Sequence, residues 1–570
     1  MRLTYRRPLA LGAAAALALA APAVAAAQGS GHGHGQHHSK ALRGIKRVVV
    51  IYEENHSFDN LYGGWEGVNG LRRAAPAHTT QVNQAGTPYT CLLQDDVNLA
   101  TPPLSPTCHD ATTATPFDSH FANKPFRIDD FIHPMDTTCP PPGDFSMANG
   151  FPKGTGLPGG CTRDLVHRYY QEQYQLNGGR QNRYTTGSDA VGLTQGVYDT
   201  RALPIYRYLH RRGHPRYAIA DDFFQAAFGG SFLNHQWLIA AATPTFPGAA
   251  PELHSVVDAN GMPTSYPLYA SPLGSAAKDT ALTALCGATT PPNLGCGDYA
   301  VNTIQPAVQP FSSPTALKLP LQTAPTIGDR LSAKGIDWAW YSGGWSNADG
   351  HVGAPGWTNG TTPGTCTDPN TATGSVYPNC PGKLFQFHHQ PFNYFAAYAP
   401  GQPGRAHLRD EAEFEAAAAA SNHRCQLKPV SIIKPYGEEN EHPGYASEST
   451  GSDHLVDLLS SIQHSRCAKD TMVVVTYDEF GGQWDHVSPP GQGGTPGPHD
   501  NMGPGTRIPA LVLAPRLHGD FVVDHVQHDT TSIMATIEHR FGLSPVSKRD
   551  AAVHDLSSVF KARPPRHHGH

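Results

Sequence analysis

The chain is 570 residues long with a formal net charge of −6, which falls to −9 once the three arginines of its leader are removed. A chain of that sign argues against a nucleic-acid partner. About 540 mature residues exceed one ordinary domain, yet no internal repeat or clean linker divides them, and Gly 58 and Pro 51 belong in loops rather than a second core.

Residues 1–27, MRLTYRRPLALGAAAALALAAPAVAAA, read as a signal peptide cut near Ala25–Gln28. They combine a basic start, an alanine/leucine run and small residues suited to cleavage. Arg6-Arg7 followed by Pro-Leu faintly suggests the twin-arginine route. The expectation is a secreted or periplasmic protein, and no other stretch is long and apolar enough to span a bilayer. Residues 28–42 form a Gly/His-rich tail and 561–570 a basic, His-rich one, both expected to be disordered. Seven of the 32 histidines lie in these tails.

Val48 to Tyr52 run without a polar break, as in a strand buried on both faces of a parallel sheet. At its carboxyl end the polarity flips to Glu53-Glu54-Asn55-His56. Ligand sites of open α/β sheets lie at such ends. Met472–Thr476 repeats the design and is followed by Tyr477-Asp478-Glu479-Phe480-Gly481-Gly482. Two buried strands ending in oxygen ligands suggest one hard-metal site built from both ends of the chain.

Between them, Leu71–Cys161 is Pro/Thr/Asn-rich and carries four cysteines. Periodicity returns at Asp164–Leu176 and Leu203–Arg212, and Tyr217–Ile219 reads as a short strand. Phe228-Gly229-Gly230-Ser231 then makes a tight turn into an apolar helix. Ser231 stands at that helix's amino terminus, where free N–H groups favour an anion; by position alone it is an ordinary N-cap. Thr326–Ala333, Glu411–Ala420 and Asp529–Phe541 read as helices, and Ile336–Tyr341, Val430–Ile433 and Ala510–Ala514 as strands. The alternation predicts one α/β domain over 43–560, a mostly parallel sheet with helices on both faces. Insertions near 71–161, 243–320 and 351–383 would cap its active face. Ten cysteines in an exported chain read as disulfides. The simplest connectivity joins neighbours: Cys91–Cys108, Cys139–Cys161, Cys286–Cys296, Cys366–Cys380 and Cys425–Cys467.

HExxH and Walker A sequences are absent, and Leu233 stands where the GxSxG elbow needs its closing glycine. What remains is a carboxylate-rich set with histidines. Glu54, Asn55, Asp478 and Glu479 offer hard oxygen ligands, and His167, His388-His389, His442 and His486 stand in conspicuous local contexts.

The blocks EENHSFDNLYGG, FGGSFLNHQW, HHQPFNYF, EHPGY, YDEFGGQWDHVSPP and GPGTRIPALVLAP resemble the phosphoesterase family of bacterial phospholipases C and secreted acid phosphatases. That family is similar in fold to alkaline phosphatase. The resemblance covers about residues 45 to 545 and leans to the acid-phosphatase branch. It implies one divalent cation (Ca, Mg, Mn or Zn) on Glu54, Asn55, Asp478 and Glu479, where Glu479 departs from the two aspartates often found. It implies Ser231 as nucleophile and His167, His389 and His442 as phosphate-binding or proton-transferring groups. His388, His235, Asp485 and His486 are candidates to support them. The function implied is hydrolysis of small phosphate monoesters through a phosphoserine. Alternatives are a phospholipase C, with a membrane lipid as substrate, and a non-catalytic metal-binding surface protein of the same fold.

Overall fold

A computed structural model describes residues 41–565, apart from 84, 93–108, 111–116, 119–120, 142–152, 189–190, 245–283, 286–294 and 297–302. The signal peptide, most of the first tail, half of the second and most of the insertion near 243–320 therefore lie outside the described residues. Leu42, counted with the tail from sequence, is buried.

Eight strands form the central sheet: β1 (Arg47–Glu53), β2 (Tyr217–Ala220), β3 (Trp338–Ser342), β4 (Leu408–Asp410), β5 (Val430–Lys434), β6 (Thr471–Tyr477), β7 (Ala510–Leu513) and β8 (Phe521–Asp524). Their spatial order is β4-β3-β5-β1-β6-β7-β2-β8. Every pairing is parallel except the two made by β7, so β7 alone is reversed. The inner strands are apolar on both sides, as two-sided burial requires: Val48 to Tyr52 and Met472 to Val475 are fully buried.

Among the described residues seven helices of two turns or so and longer accompany the sheet: α1 (Tyr169–Leu176), α2 (Pro204–His210), α3 (Ser231–Ala240), α4 (Ile327–Ala333), α5 (Glu411–Ala419), α6 (Glu448–Gln463) and α7 (Thr531–Phe541). One layer runs α2 on α6 on α5, which lies on β3 and β5; the other runs α7 on α3 on α4, which lies on β3. Thr326 caps α4 through a reciprocal bond with Asp329, and Gly542 ends α7 in the left-handed conformation. The segment read as periodic from Asp164 begins its helix only at Tyr169, and 164–168 take no regular secondary structure. β4, β8 and α6 had no counterpart in the sequence reading. The two strands are short and at the edges of the sheet. The first turn of α6, Glu448-Ser449-Thr450-Gly451, shows no apolar periodicity, and its stripe starts at Leu455.

Register sets the function. Glu53 pairs with Tyr477 across β1 and β6, so Glu54-Asn55 and Asp478-Glu479 leave the sheet side by side. Lys434 ends the neighbouring β5 at the same edge. Side chains alternate along a strand: Tyr52 and Glu54 look toward α3, where the Tyr52 hydroxyl donates to the Asn234 carbonyl. Glu53 looks the other way, toward α6.

Cys139–Cys161, Cys366–Cys380 and Cys425–Cys467 are closed as neighbour pairing expects. Cys91 is also bonded, while Cys108 and Cys286 lie outside the described residues. The largest of the closed loops joins the turn after α5 to the entry of β6, with a sequence separation of 42. On the chain-entropy model its removal should cost about 4 kcal/mol. The Cys425→Ser/Cys467→Ser protein should therefore melt well below the parent, and peptide mapping of the parent without reductant should find no free thiol. An unchanged melting temperature would mean that this loop is already ordered in the unfolded chain.

Candidate active site

At the carboxyl edge of β1 and β6 the chain packs its own backbone tightly. Asn55 adopts φ 60°; Gly481 must be glycine, because its φ is +61° and a Cβ there would lie 2.2 Å from the Asn55 carbonyl oxygen. Asparagine tolerates that left-handed region better than most residues. Asp478 Oδ1 accepts from the backbone of Asn55 (3.3 Å) and Glu479 (2.9 Å).

Ser231 arrives from the other side, as the first residue of α3. Gly229 (φ +90°) lets the preceding turn press on the extended segment before α1; its Cβ would lie 2.5 Å from Tyr169 N. Glu172, buried on α1, accepts from Gly229 N (2.5 Å), Gln225 Nε2 (2.9 Å) and Thr506 N (2.6 Å). Burial pushes that carboxyl up to about 7. Ser231 Oγ ends 3.2 Å from Glu479 Oε1 and 3.5 Å from both Glu54 Oε2 and Asn55 Oδ1. Glu479 reaches inward because Gly481 N holds its other oxygen at 2.6 Å. The longer side chain therefore still delivers an oxygen to the centre.

Charge is balanced unevenly. Glu54 Oε1 meets Lys434 Nζ at 2.5 Å and His389 Nε2 at 2.6 Å. Burial opposes its ionisation, but Lys434, His389 and His442 outweigh it and hold the carboxyl well below its usual range. Asp478 and Glu479 shift upward, first through burial and then through their acidic neighbours. Three buried carboxylates around one hydroxyl, together with the Asn55 amide oxygen, could supply the donors that a hard divalent cation needs. Glu54, His235 and His389 also offer ligand atoms within 4.8 Å of one another.

The histidines divide by their bonds. His442 Nδ1 donates to the Pro443 carbonyl at 2.6 Å, so its Nε2 accepts from Asn55 Nδ2 at 2.9 Å. This turns Asn55 Oδ1 toward Ser231. His167 Nδ1 donates to the Leu165 carbonyl (2.5 Å) and points Nε2 at Glu479 Oε1 (3.3 Å). Its side chain is 18% exposed, so it stands at the mouth. His235 donates to the Ser231 carbonyl (2.8 Å) and stacks on His389, with His388 packed edge-on to both.

Asp485 and His486 fall elsewhere. They join Asp59 and Arg507 in a separate buried network, with His486 Nδ1 at 2.5 Å from Asp59 Oδ2 and Arg507 Nε at 3.1 Å from Asp485 Oδ1. Lys434 and Glu172 escaped sequence reasoning. The signal for Lys434 was present, since VSIIK repeats the apolar strand that ends in charge. A large cavity lined by Arg72, Arg201, His210, Phe521 and Arg563 includes none of the Ser231 cluster, so the site rests on its chemistry rather than on void size.

A mostly parallel sheet that gathers a helix-terminal serine, buried carboxylates and histidines at one edge is an arrangement suited to hydrolysis. The chain belongs to the Phosphoesterase family, whose model matches residues 45–544, and it hydrolyses phosphoric ester bonds. Phospholipase C A of Mycobacterium tuberculosis (strain H37Rv) is 23% identical over 559 residues, covering 92% of this chain and 79% of its own. Phospholipase C B of the same strain is 34% identical over 173 residues, covering 26% of this chain and 32% of its own. Non-specific phospholipase C6 of Arabidopsis thaliana is 29% identical over 152 residues, 22% of this chain and 29% of its own. Among solved structures, an alkaline phosphatase superfamily protein from Vibrio parahaemolyticus matches at 11% identity over 65% of this chain and 66% of its own, with a TM-score of 0.26. A likeness at that score supports no inference about function.

In the metal-free protein Asp478 is pushed up to about 7, by burial first and the Glu54 carboxylate second. A cation held by Asp478 would have to displace that proton, so affinity for Mn2+ should then weaken below about pH 7 by roughly tenfold per pH unit. Calorimetry in buffers of different ionisation enthalpy should record the proton release, and a pH-independent affinity would remove Asp478 from the ligand set. Lys434→Met should destabilise the fold by about 3–5 kcal/mol, because it strands Glu54 without its buried partner. An unchanged melting temperature would show that His389 alone holds that carboxylate.

Proposed function

We propose that this protein cleaves phosphate monoesters with Ser231 as nucleophile. The observation that carries the reading is the Ser231 hydroxyl at the amino end of α3, 3.2–3.5 Å from oxygens of Glu479, Glu54 and Asn55. The helix turns unpaired N–H groups toward an incoming phosphoryl group. A divalent cation on Glu54, Asn55, Asp478 and Glu479 would neutralise phosphoryl oxygen and lower the serine pKa.

Ser231 Oγ attacks phosphorus, and Glu479 Oε1 is the nearest acceptor for its proton. The bond to the ester oxygen breaks, and the leaving alcohol takes a proton from His167, the histidine at the mouth. Water then cleaves the phosphoserine, releasing phosphate and restoring the hydroxyl. His442 holds Asn55, while Lys434 and His389 hold Glu54; these are positioning roles.

The monoester preference is supported by the scatter of exposed apolar side chains. Large exposed apolar side chains among the described residues are Met135, Leu157, Val352 and Val376, two on each of two segments. A lipid-lifting surface needs a continuous apolar face. The names of the mycobacterial and plant relatives favour a second reading, a phospholipase C that cleaves a phosphodiester lipid.

Ser231→Ala should lose at least a thousandfold in kcat on p-nitrophenyl phosphate while still binding inorganic phosphate within a few-fold of the parent. Parallel kinetics should give higher kcat/KM on that soluble ester than on phosphatidylcholine vesicles or micelles. Activity confined to aggregated lipid, rising at its critical micelle concentration, would establish the phospholipase reading instead.

A further inference from the structure

Behind β1, on the face away from Ser231, a second set of acceptors meets without enough donors. Glu53 is fully buried, yet neither of its carboxylate oxygens reaches a hydrogen-bond donor. Its two nearby cations are engaged elsewhere: Lys434 Nζ serves Glu54 and the Glu53 carbonyl, and His454 Nε2 serves Glu411 at 3.0 Å. Glu441 takes the Tyr477 hydroxyl on Oε2 and leaves Oε1 without a donor. Glu448, the first residue of α6, brings Oε2 to 3.2 Å from His56 Nε2. Glu53, His56, Glu441 and Glu448 are each more than nine-tenths buried.

The tautomer of His56 follows from its neighbour. Asn60 Nδ2 donates to the Gly196 carbonyl at 2.9 Å, so Asn60 Oδ1, 2.6 Å from His56 Nδ1, must accept. The ring hydrogen is therefore on Nδ1. A neutral His56 directs the Nε2 lone pair at the Glu441 carbonyl oxygen (3.0 Å) and at Glu448 Oε2 (3.2 Å), both acceptors themselves. Ligand atoms of His56, Glu441 and Glu448 lie within 4.8 Å of one another. A proton on Glu448 would satisfy that carboxyl and His56, but would leave Glu53 and Glu441 Oε1 buried without donors, each at a desolvation cost.

We propose that His56, Glu441 and Glu448 hold a second divalent cation, with Glu53 as a third carboxylate beside it, on the face of the sheet opposite Ser231. The imidazole suits Zn2+ better than an oxygen-only set would, and the carboxylates also suit Mn2+. Such an ion would tie the end of β1 to α6 and to the loop after β5, and thus fix the strand from which Glu54 and Asn55 emerge.

The test is metal stoichiometry on the full chain, stripped with chelator, titrated separately with Mn2+ and Zn2+, desalted and analysed for bound element. The wild type should retain two equivalents, Glu448→Gln one, and Asp478→Asn one. Zn2+ or Mn2+ should still raise the melting temperature of Asp478→Asn but not that of the double variant. If Glu448→Gln keeps the full wild-type content and melts higher than the parent, the cluster is held by protons and the proposal fails. Should Glu448→Gln not fold, Asp478→Asn decides alone: one retained equivalent supports the second site, and none overturns it. If the ion at Ser231 is absent, the wild type holds one equivalent that only Glu448→Gln removes, which separates this proposal from the reading of the active site.

Discussion

Burying Glu54, Asp478 and Glu479 around a single hydroxyl is the constraint on which the rest of this structure depends. All three are fully buried, and an unpaired carboxylate in such a place costs several kcal/mol. The sheet leaves no alternative, because β1 and β6 are parallel and in register through Glu53 and Tyr477. Neither strand can turn its acids away without breaking the ladder. The surrounding features answer that demand. Lys434 and His389 converge on one oxygen of Glu54, Asp478 collects backbone N–H groups, and Glu479 is folded back by Gly481.

Much of this was legible in the sequence because it follows from local pattern. An unbroken apolar run that flips to acids predicts both a buried strand and the end of the strand where chemistry occurs, and β1 and β6 obey. A glycine pair before an apolar helix predicts Ser231 at a helix start. What was not legible depends on distant partners. Glu172 looks like any acid on a short helix until Gly229 and Thr506 arrive from later in the chain. Lys434 at a strand end reads as a side chain reaching for water, whereas it is sealed against Glu54. Asp485 and His486 are only seven and eight residues beyond Asp478, but the backbone turns at Gly481-Gly482 and carries them to Arg507 instead.

That Arg507 network explains why several sequence blocks occur together. Asp59 comes from HSFDN, Asp485 and His486 from WDHVSPP, and Arg507 from GPGTRIP. Arg507 bonds both aspartates and also the carbonyls of Asn69 and Asp221. The network locks the loops after β1 and β6 to the entry of β7, and so holds the catalytic edge from behind.

Comparing the three buried acidic clusters separates scaffold from binding site. Around Arg507, two carboxylates meet one guanidinium and a histidine that the chain itself provides, and the hydrogen bonds close. Around Ser231, three carboxylates face one lysine, and two of them shift upward, through burial first and their acidic neighbours second. Around His56 three more face no lysine or arginine that donates to them among the described residues, and oxygens of Glu53 and Glu441 remain without donors. A protein that needed only structure could close those two clusters as it closes the first, by placing an arginine at a strand end. On one face of β1 the excess acid lies at Asp478 and Glu479, beside a Glu54 that Lys434 and His389 hold, and on the other at Glu53; a cation bound on each face would supply the missing positive charge.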